Sequence, residues 1–203
     1  TEPAFVPASH VFARNFPDTA GNDPLNRHSE VGFFGLMGVP VGVAARLYDE
    51  SLAVVRAKRA AGATIDPFVQ VQLVEMADIL DGVTHQVFGT LERADRVLFE
   101  AGGLLTPMQM ARAFATQARA GEAVLRLIKI AGEICGATRA LMDDSPLQKV
   151  IRDALAITAH GSIRSGTRMG LLEPLLAGEG AASAFDDDED IEALVDENMA
   201  AAY

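Results

Sequence analysis

His160, Gly161 and Ser162, with Arg152 and Asp153 just upstream, are the residues whose types and spacing could do chemistry. An imidazole can both give and take a proton near neutral pH, which suits it to general acid–base work. Read as helix, Arg152, Ala156 and His160 stand four residues apart on one face, with Asp153 close to the same face. Arg152 and Asp153 are, on base rates, an ordinary surface ion pair worth about 0–1 kcal/mol. A glycine within a helix costs about 1 kcal/mol and usually marks the close approach of a ligand or another backbone. Gly161, Gly166 and Gly170 repeat that signal, so this face is expected to be approached by something.

Other chemistry is poorly supported. The four histidines, at 10, 28, 85 and 160, show no metal-ligand spacing. His85 falls beside an apolar seam and is expected to be a packed structural histidine. The run Asp186–Asp190 lacks the turned loop that would converge carboxylates on an ion, and reads as extended and solvated. A formal net charge of -11 repels a phosphate backbone, and the nearest basic group, Arg56, Lys58 and Arg59, reads as the complement of a helix C-terminus. No nucleic-acid partner is expected. Cys135 is the sole cysteine, so no internal disulfide can form, which leans towards a cytoplasmic setting. Nothing approaches the ~18 apolar residues of a membrane span, and Thr1 opens no signal sequence. The missing initiator Met leaves open that residue 1 is internal to a longer polypeptide.

The elements that must position these residues are helical. A chain of 203 residues that is 49% apolar, with ten Phe, no Trp and two Tyr, suits one core of closely packed helices. The expected fold is all-α: an antiparallel four-helix bundle over 33–178, an irregular lead-in over 1–32, and an acidic tail over 179–203, either a short helix or disordered. Pro3, Pro7, Pro17 and Pro24 forbid a long helix in the lead-in, though Ala4–Val6 could end a strand. The first helix runs from Phe33 to about Ala60, with Pro40 as a kink or a late start, and Gly62 lies where a C-cap belongs. Asp66–Pro67 opens the second, whose seam is Leu73, Met76, Leu80, Val83, Val87, Leu91, Ala94 and Leu98. Thr106–Pro107 opens a third, reaching about Ile134. Asp144 or Ser145, with Pro146, opens a fourth, reaching about Leu172.

Several stretches resemble a known family. Ser145-Pro146-Leu147-Gln148-Lys149-Val150-Ile151-Arg152-Asp153-Ala154 resembles the opening of the last long helix of the acyl-CoA dehydrogenase superfamily. The stretch Pro67 to Met76 is similar to the start of its second bundle helix, and Gly42–Ala45 to a small-residue stretch in its first. Ala4–Pro7 and His10–Phe12 look like the end of its middle β-domain. The resemblance spans about residues 4–172 and implies the C-terminal helical domain of a flavin-dependent oxidoreductase using FAD or FMN. His160-Gly161-Ser162 falls where many dehydrogenases carry a catalytic Glu followed by Gly-Thr. A His there resembles the monooxygenase branch, and implies His160 as the catalytic proton donor or acceptor near flavin and substrate. By the same resemblance Arg59, Gly136, Arg152 and Ser162 are cofactor-binding candidates. The chain departs from the pattern at Ala61, where an aromatic is usual, and at Cys135–Gly136, where the family has Gly-Gly. It lacks the family's N-terminal helical domain and most of the β-domain.

The resemblance further implies a small-molecule or acyl-thioester substrate and a homo-oligomer, tetramer or dimer. An alternative is a non-catalytic helical assembly module that pairs with a related subunit. A plain bundle with no site would instead close an apolar surface around His160.

Overall fold

The computed structural model describes residues 35–142 and 145–177. The lead-in with its possible strand, His10 and His28, Asp144, the acidic run and the tail lie outside the described residues. Within them the chain forms α1 (Gly38–Ala60), α2 (Pro67–Asp95), α3 (Pro107–Cys135), α4 (Ala137–Leu141), α5 (Pro146–Thr158) and α6 (Leu172–Leu176). A π-helical turn, Arg96–Glu100, extends α2, and a 3-10 segment, Ser165–Leu171, precedes α6. No strand occurs among the described residues.

Local chemistry sets the boundaries. Pro40 sits in the first turn of α1, where its missing N–H costs nothing, so it marks a late start and not a kink. At the other end Gly62 (φ +81) donates to the Arg59 carbonyl and Ala63 to that of Lys58, the paired bonds of a Schellman stop. The Asp66 carboxylate accepts from the Phe68 N–H at 2.7 Å, with Pro67 at the first helical position. Thr106 and Gln109 cap one another reciprocally at the head of α3.

Cross-helix bonds fix the direction of packing. Gln72 donates to Glu133 at 2.6 Å, Arg126 pairs with Glu75 at 2.6 Å, and Thr90 meets Thr116 at 3.3 Å. Residue numbers falling on α3 as they rise on α2 mean an antiparallel pair. The chain then returns along α5, so that Leu147 packs with Ile134 near one end of α3 while Ile163 rests on Gly121 further along.

α3 lies at the centre, with buried residues on nearly every side. Towards its C-terminal end Leu127, Ile130, Ala131 and Ile134 pack with Leu47, Met76 and Ala154. Towards its N-terminal end Ala113 and Ala120 pack with Met37, Val83 and Val87. Burying each large side chain is worth about 1.5–3 kcal/mol. The predicted α2 seam faces this core along its length.

Two expectations need correction. The fourth helix ends at Thr158, not near Leu172: the His160 carbonyl accepts from both the Ile163 and Arg164 N–H groups, closing a turn at Gly161. Apolar periodicity ends there too, because Ile163 reaches the core only after the chain has turned. His85 is not packed; its side chain is 77% exposed and its Nδ1 lies 2.9 Å from the Asp81 carbonyl oxygen. Val83 and Val87 take the core positions on either side, which points residue 85 outward.

Cys135 is buried at the end of α3, and burial pushes its thiol up, against smaller opposing effects from a Ser51 hydrogen bond and the charges of Lys58 and Arg139. A raised thiol holds less thiolate, the reactive form, at neutral pH. Native protein at pH 7.5 should therefore react with a thiol-specific chromogenic disulfide far more slowly than free cysteine, and stoichiometrically once denaturant is added.

Candidate functional site

The five candidate residues fall into two groups. Arg59, at the end of α1, and Gly136, just past α3, share one end of the bundle, tied by Lys58 Nζ donating to the Ile134 carbonyl at 3.4 Å. Both are exposed, and Gly136 adopts φ +83, a conformation that favours glycine. The basic cluster thus does what its position suggests, with Lys58 and Arg59 in the last turn of α1.

The second group is Arg152, His160 and Ser162. Arg152 is exposed on α5, His160 is exposed in the turn after it, and Ser162 is half-buried. The Ser162 N–H donates to His160 Nδ1 at 3.3 Å, which ties the ring to its own turn and leaves Nε2 outside that bond. Because α5 stops at Thr158, Arg152 and His160 do not share a helical face. Ile163 marks this turn against α3 at Gly121, and Gly121 to Gly136 is fifteen residues, or about 22 Å of helix rise. The structure therefore brings His160 and Ser162 together and keeps Arg59 and Gly136 well away from them.

The close approach expected at Gly161, Gly166 and Gly170 occurs elsewhere. A Cβ on Gly166 or Gly170 would meet nothing within 4 Å, whereas one on Gly121 would lie 2.4 Å from Ile163 Cγ2 and 2.7 Å from its carbonyl oxygen. Gly121 is the seat of the His160 turn. One turn before it stands Gln117, fully buried, with neither amide atom hydrogen-bonded; Arg168 Nε is likewise buried without a partner, although its Nη2 pairs with Glu122. Leaving such groups unmade costs about 1–3 kcal/mol each. The sequence signal for Gln117 is a lone amide in an alanine-rich run, weak without the structure.

The donor set fits a flavin in kind: guanidinium groups suit its phosphate, and a hydroxyl and an imidazole suit its polar ring edge. None of the five residues lines the cavity of about 270 Å³ that lies instead between the end of α2 and the start of α3. Among the described residues no cluster of three or more His, Cys, Asp or Glu could hold a metal ion, and no helix is long and apolar enough to cross a membrane.

Residues 34–165 match the family described as Acyl-CoA dehydrogenase, C-terminal domain. The chain belongs to this family. Among solved structures it is similar to a 3-HSA hydroxylase from Rhodococcus sp. RHA1, with 25% identity and a TM-score of 0.67 over 79% of this chain and 42% of that one. It is also similar in fold to the HsaA monooxygenase from M. tuberculosis, with 24% identity and a TM-score of 0.66 over 79% of this chain and 43% of that one. The chain thus spans less than half the length of these structures. No curated protein matches it. The family match ends just past the His160 turn, so this acyl-CoA dehydrogenase-like domain includes the turn and its seat on α3.

Two substitutions probe that seat. Gly121→Ala must push the backbone at Ile163 and should cost about 1–3 kcal/mol, whereas Gly132→Ala, with nothing within 4 Å of its Cβ, should be neutral or gain up to about 1 kcal/mol; urea unfolding of both variants checks the contrast. Gln117→Met keeps the volume and removes both unpaired atoms. It should raise stability by about 1 kcal/mol in the same assay, unless a bound group satisfies the amide.

Proposed function

We propose that this chain is the C-terminal domain of a flavin-dependent oxidoreductase of the monooxygenase or hydroxylase kind. The observation that carries the reading is the His160 turn: an exposed imidazole, oriented by the Ser162 N–H and clamped onto α3, at the position where the family resemblance puts a catalytic side chain. The hydroxylase and monooxygenase named among the similar structures support the same branch. A bound FAD or FMN would supply the redox chemistry. His160 would hold or move a proton at Nε2, Ser162 and Arg152 would donate to the polar edge of the flavin, and Arg59 and Gly136 would serve its phosphate end. The substrate is a small molecule or an acyl thioester.

In this reading the bundle over 33–178 lies between a lead-in contributed by a β-domain edge and an acidic tail. The setting is cytoplasmic, and the enzyme is a homo-oligomer, a tetramer or a dimer. Phe68, Val71 and Val74, at steps of three along α2, are each more than half exposed and form an apolar row for assembly. That row also favours the second reading, a helical module that pairs with a related subunit without doing chemistry itself.

The test is made in the flavin-loaded enzyme that contains this domain. His160→Ala should lower kcat by about 10²–10⁴-fold, the usual worth of a general acid or base, with flavin absorbance retained. Unchanged turnover in that variant removes His160 from the chemistry. Tight one-to-one retention of FAD or FMN by the 203-residue chain alone, followed by equilibrium dialysis, would count against a purely assembling role.

A further inference from the structure

We propose that Gln117 is a positioning residue for the His160 turn, and that its side-chain N–H donates to the Ile163 carbonyl once flavin is bound. The inference rests on the role proposed above for His160. Gln117 is four residues after Ala113, three before Ala120 and four before Gly121, so all four lie along one side of α3. Ala113 and Ala120 pack in the cluster that holds Met37, and Gly121 receives Ile163. The Gln117 side chain is therefore sealed where the start of α1 and the chain carrying His160 meet α3.

Two unmet groups share that boundary. Gln117 is fully buried, and neither Nε2 nor Oε1 is hydrogen-bonded. Ile163 is only 3% exposed. Among the described residues its carbonyl accepts no hydrogen bond, although it lies so near α3 that a Cβ on Gly121 would stand 2.7 Å from its oxygen. A buried donor and a buried acceptor one helical turn apart, each without its bond, are losses that one contact would cancel together. Alanine fills positions 113, 115, 118 and 120 without any such cost, so packing alone does not call for an amide at 117.

The bond is within reach of a small movement. Side chains on a helix lean towards its N-terminus. α5 brings the chain along α3 in that same direction, from Leu147 packed with Ile134 to Ile163 at Gly121. A short advance of the turn thus carries the Ile163 carbonyl over the amide. Every described hydrogen bond of residues 159–164 runs back to α5, within the turn or to the 3-10 segment, and none reaches α3. The 3-10 segment that follows has no buried residue, the kind of loosely packed element that moves at low cost. Contact of His160 and Ser162 with the flavin edge supplies the differential binding that such a shift requires. The advanced turn, tied to α3 by Gln117, then holds His160 at a fixed height over the site.

The flavin-loaded enzyme that contains this domain is compared with its Gln117→Met and His160→Ala variants. A crystal structure of the loaded parent should place Gln117 Nε2 at about 3.2 Å or less from the Ile163 carbonyl oxygen; a loaded structure without that bond overturns the proposal. Gln117→Met should lower kcat by about 10–10²-fold, the cost of a slightly misplaced catalytic group, with KM and flavin absorbance unchanged. The same substitution in the 203-residue chain should not lower its stability to urea. Rate and stability moving in opposite directions separate positioning from a structural role, and a loss of rate that follows a loss of stability overturns the inference. Should the Met variant take up no flavin, the loaded parent structure decides alone. Parent turnover in Gln117→Met beside a His160→Ala variant that has lost turnover overturns this inference and leaves the role of His160 intact. Full turnover in His160→Ala removes both.

Discussion

The burial of α3 along most of its length is the constraint that the rest of the domain obeys. A helix surrounded by neighbours needs a surface low enough for them to reach it, and Ala111, Ala113, Ala115, Ala118, Ala120 and Gly121 provide that surface in its first half. Close packing of this kind gains many small dispersion contacts but tolerates little change in volume. The second half carries Leu127, Ile130 and Ile134, which fill the wider space between α1, α2 and α5. The positions of α1, α2, α5 and the His160 turn all follow from how near α3 lets them come.

Elements written in local chemistry were legible in the sequence. Asp66–Pro67 and Thr106–Pro107 each open a helix because a cap and a fixed φ act within a few residues, and Pro146 opens one by its fixed φ without a side-chain cap bond. The α2 seam was legible because helix period alone decides which side is apolar. The end of α5 was not, since the alanines and Leu155 before His160 favour helix and only the contact between Ile163 and Gly121 draws the chain aside. That contact joins residues 42 positions apart, and nothing near either one announces it. His85 misled for a related reason: a seam shows which residues face inward, but a residue two places from a core position points away from it.

Charge shows the same divide between local and distant information. Runs along the chain, such as the cations ending α1, can be read directly and behave as a helix terminus would require. Arg93 and Arg112 are nineteen residues apart in sequence and line one hollow only because α2 and α3 are antiparallel and in register. The orphaned amide of Gln117 is the polar counterpart. Its cost depends on being sealed among apolar neighbours, which no single stretch of sequence discloses.

The separation of the candidate residues constrains any account of cofactor binding in this domain. Arg59 and Gly136 stand at one end of the bundle, and the His160 turn stands about 22 Å away along α3. A compact ligand lying on one protomer can touch one group or the other. For both groups to serve one flavin, the cofactor must stretch along much of the bundle, or the two groups must be contributed by two copies of the chain. Neither group is enclosed by the described residues, so in either arrangement the walls of the site come from surfaces beyond this bundle. The helices then act as a rigid spacer: packing around α3 fixes the distance between the two groups more firmly than either group's own hydrogen bonds could.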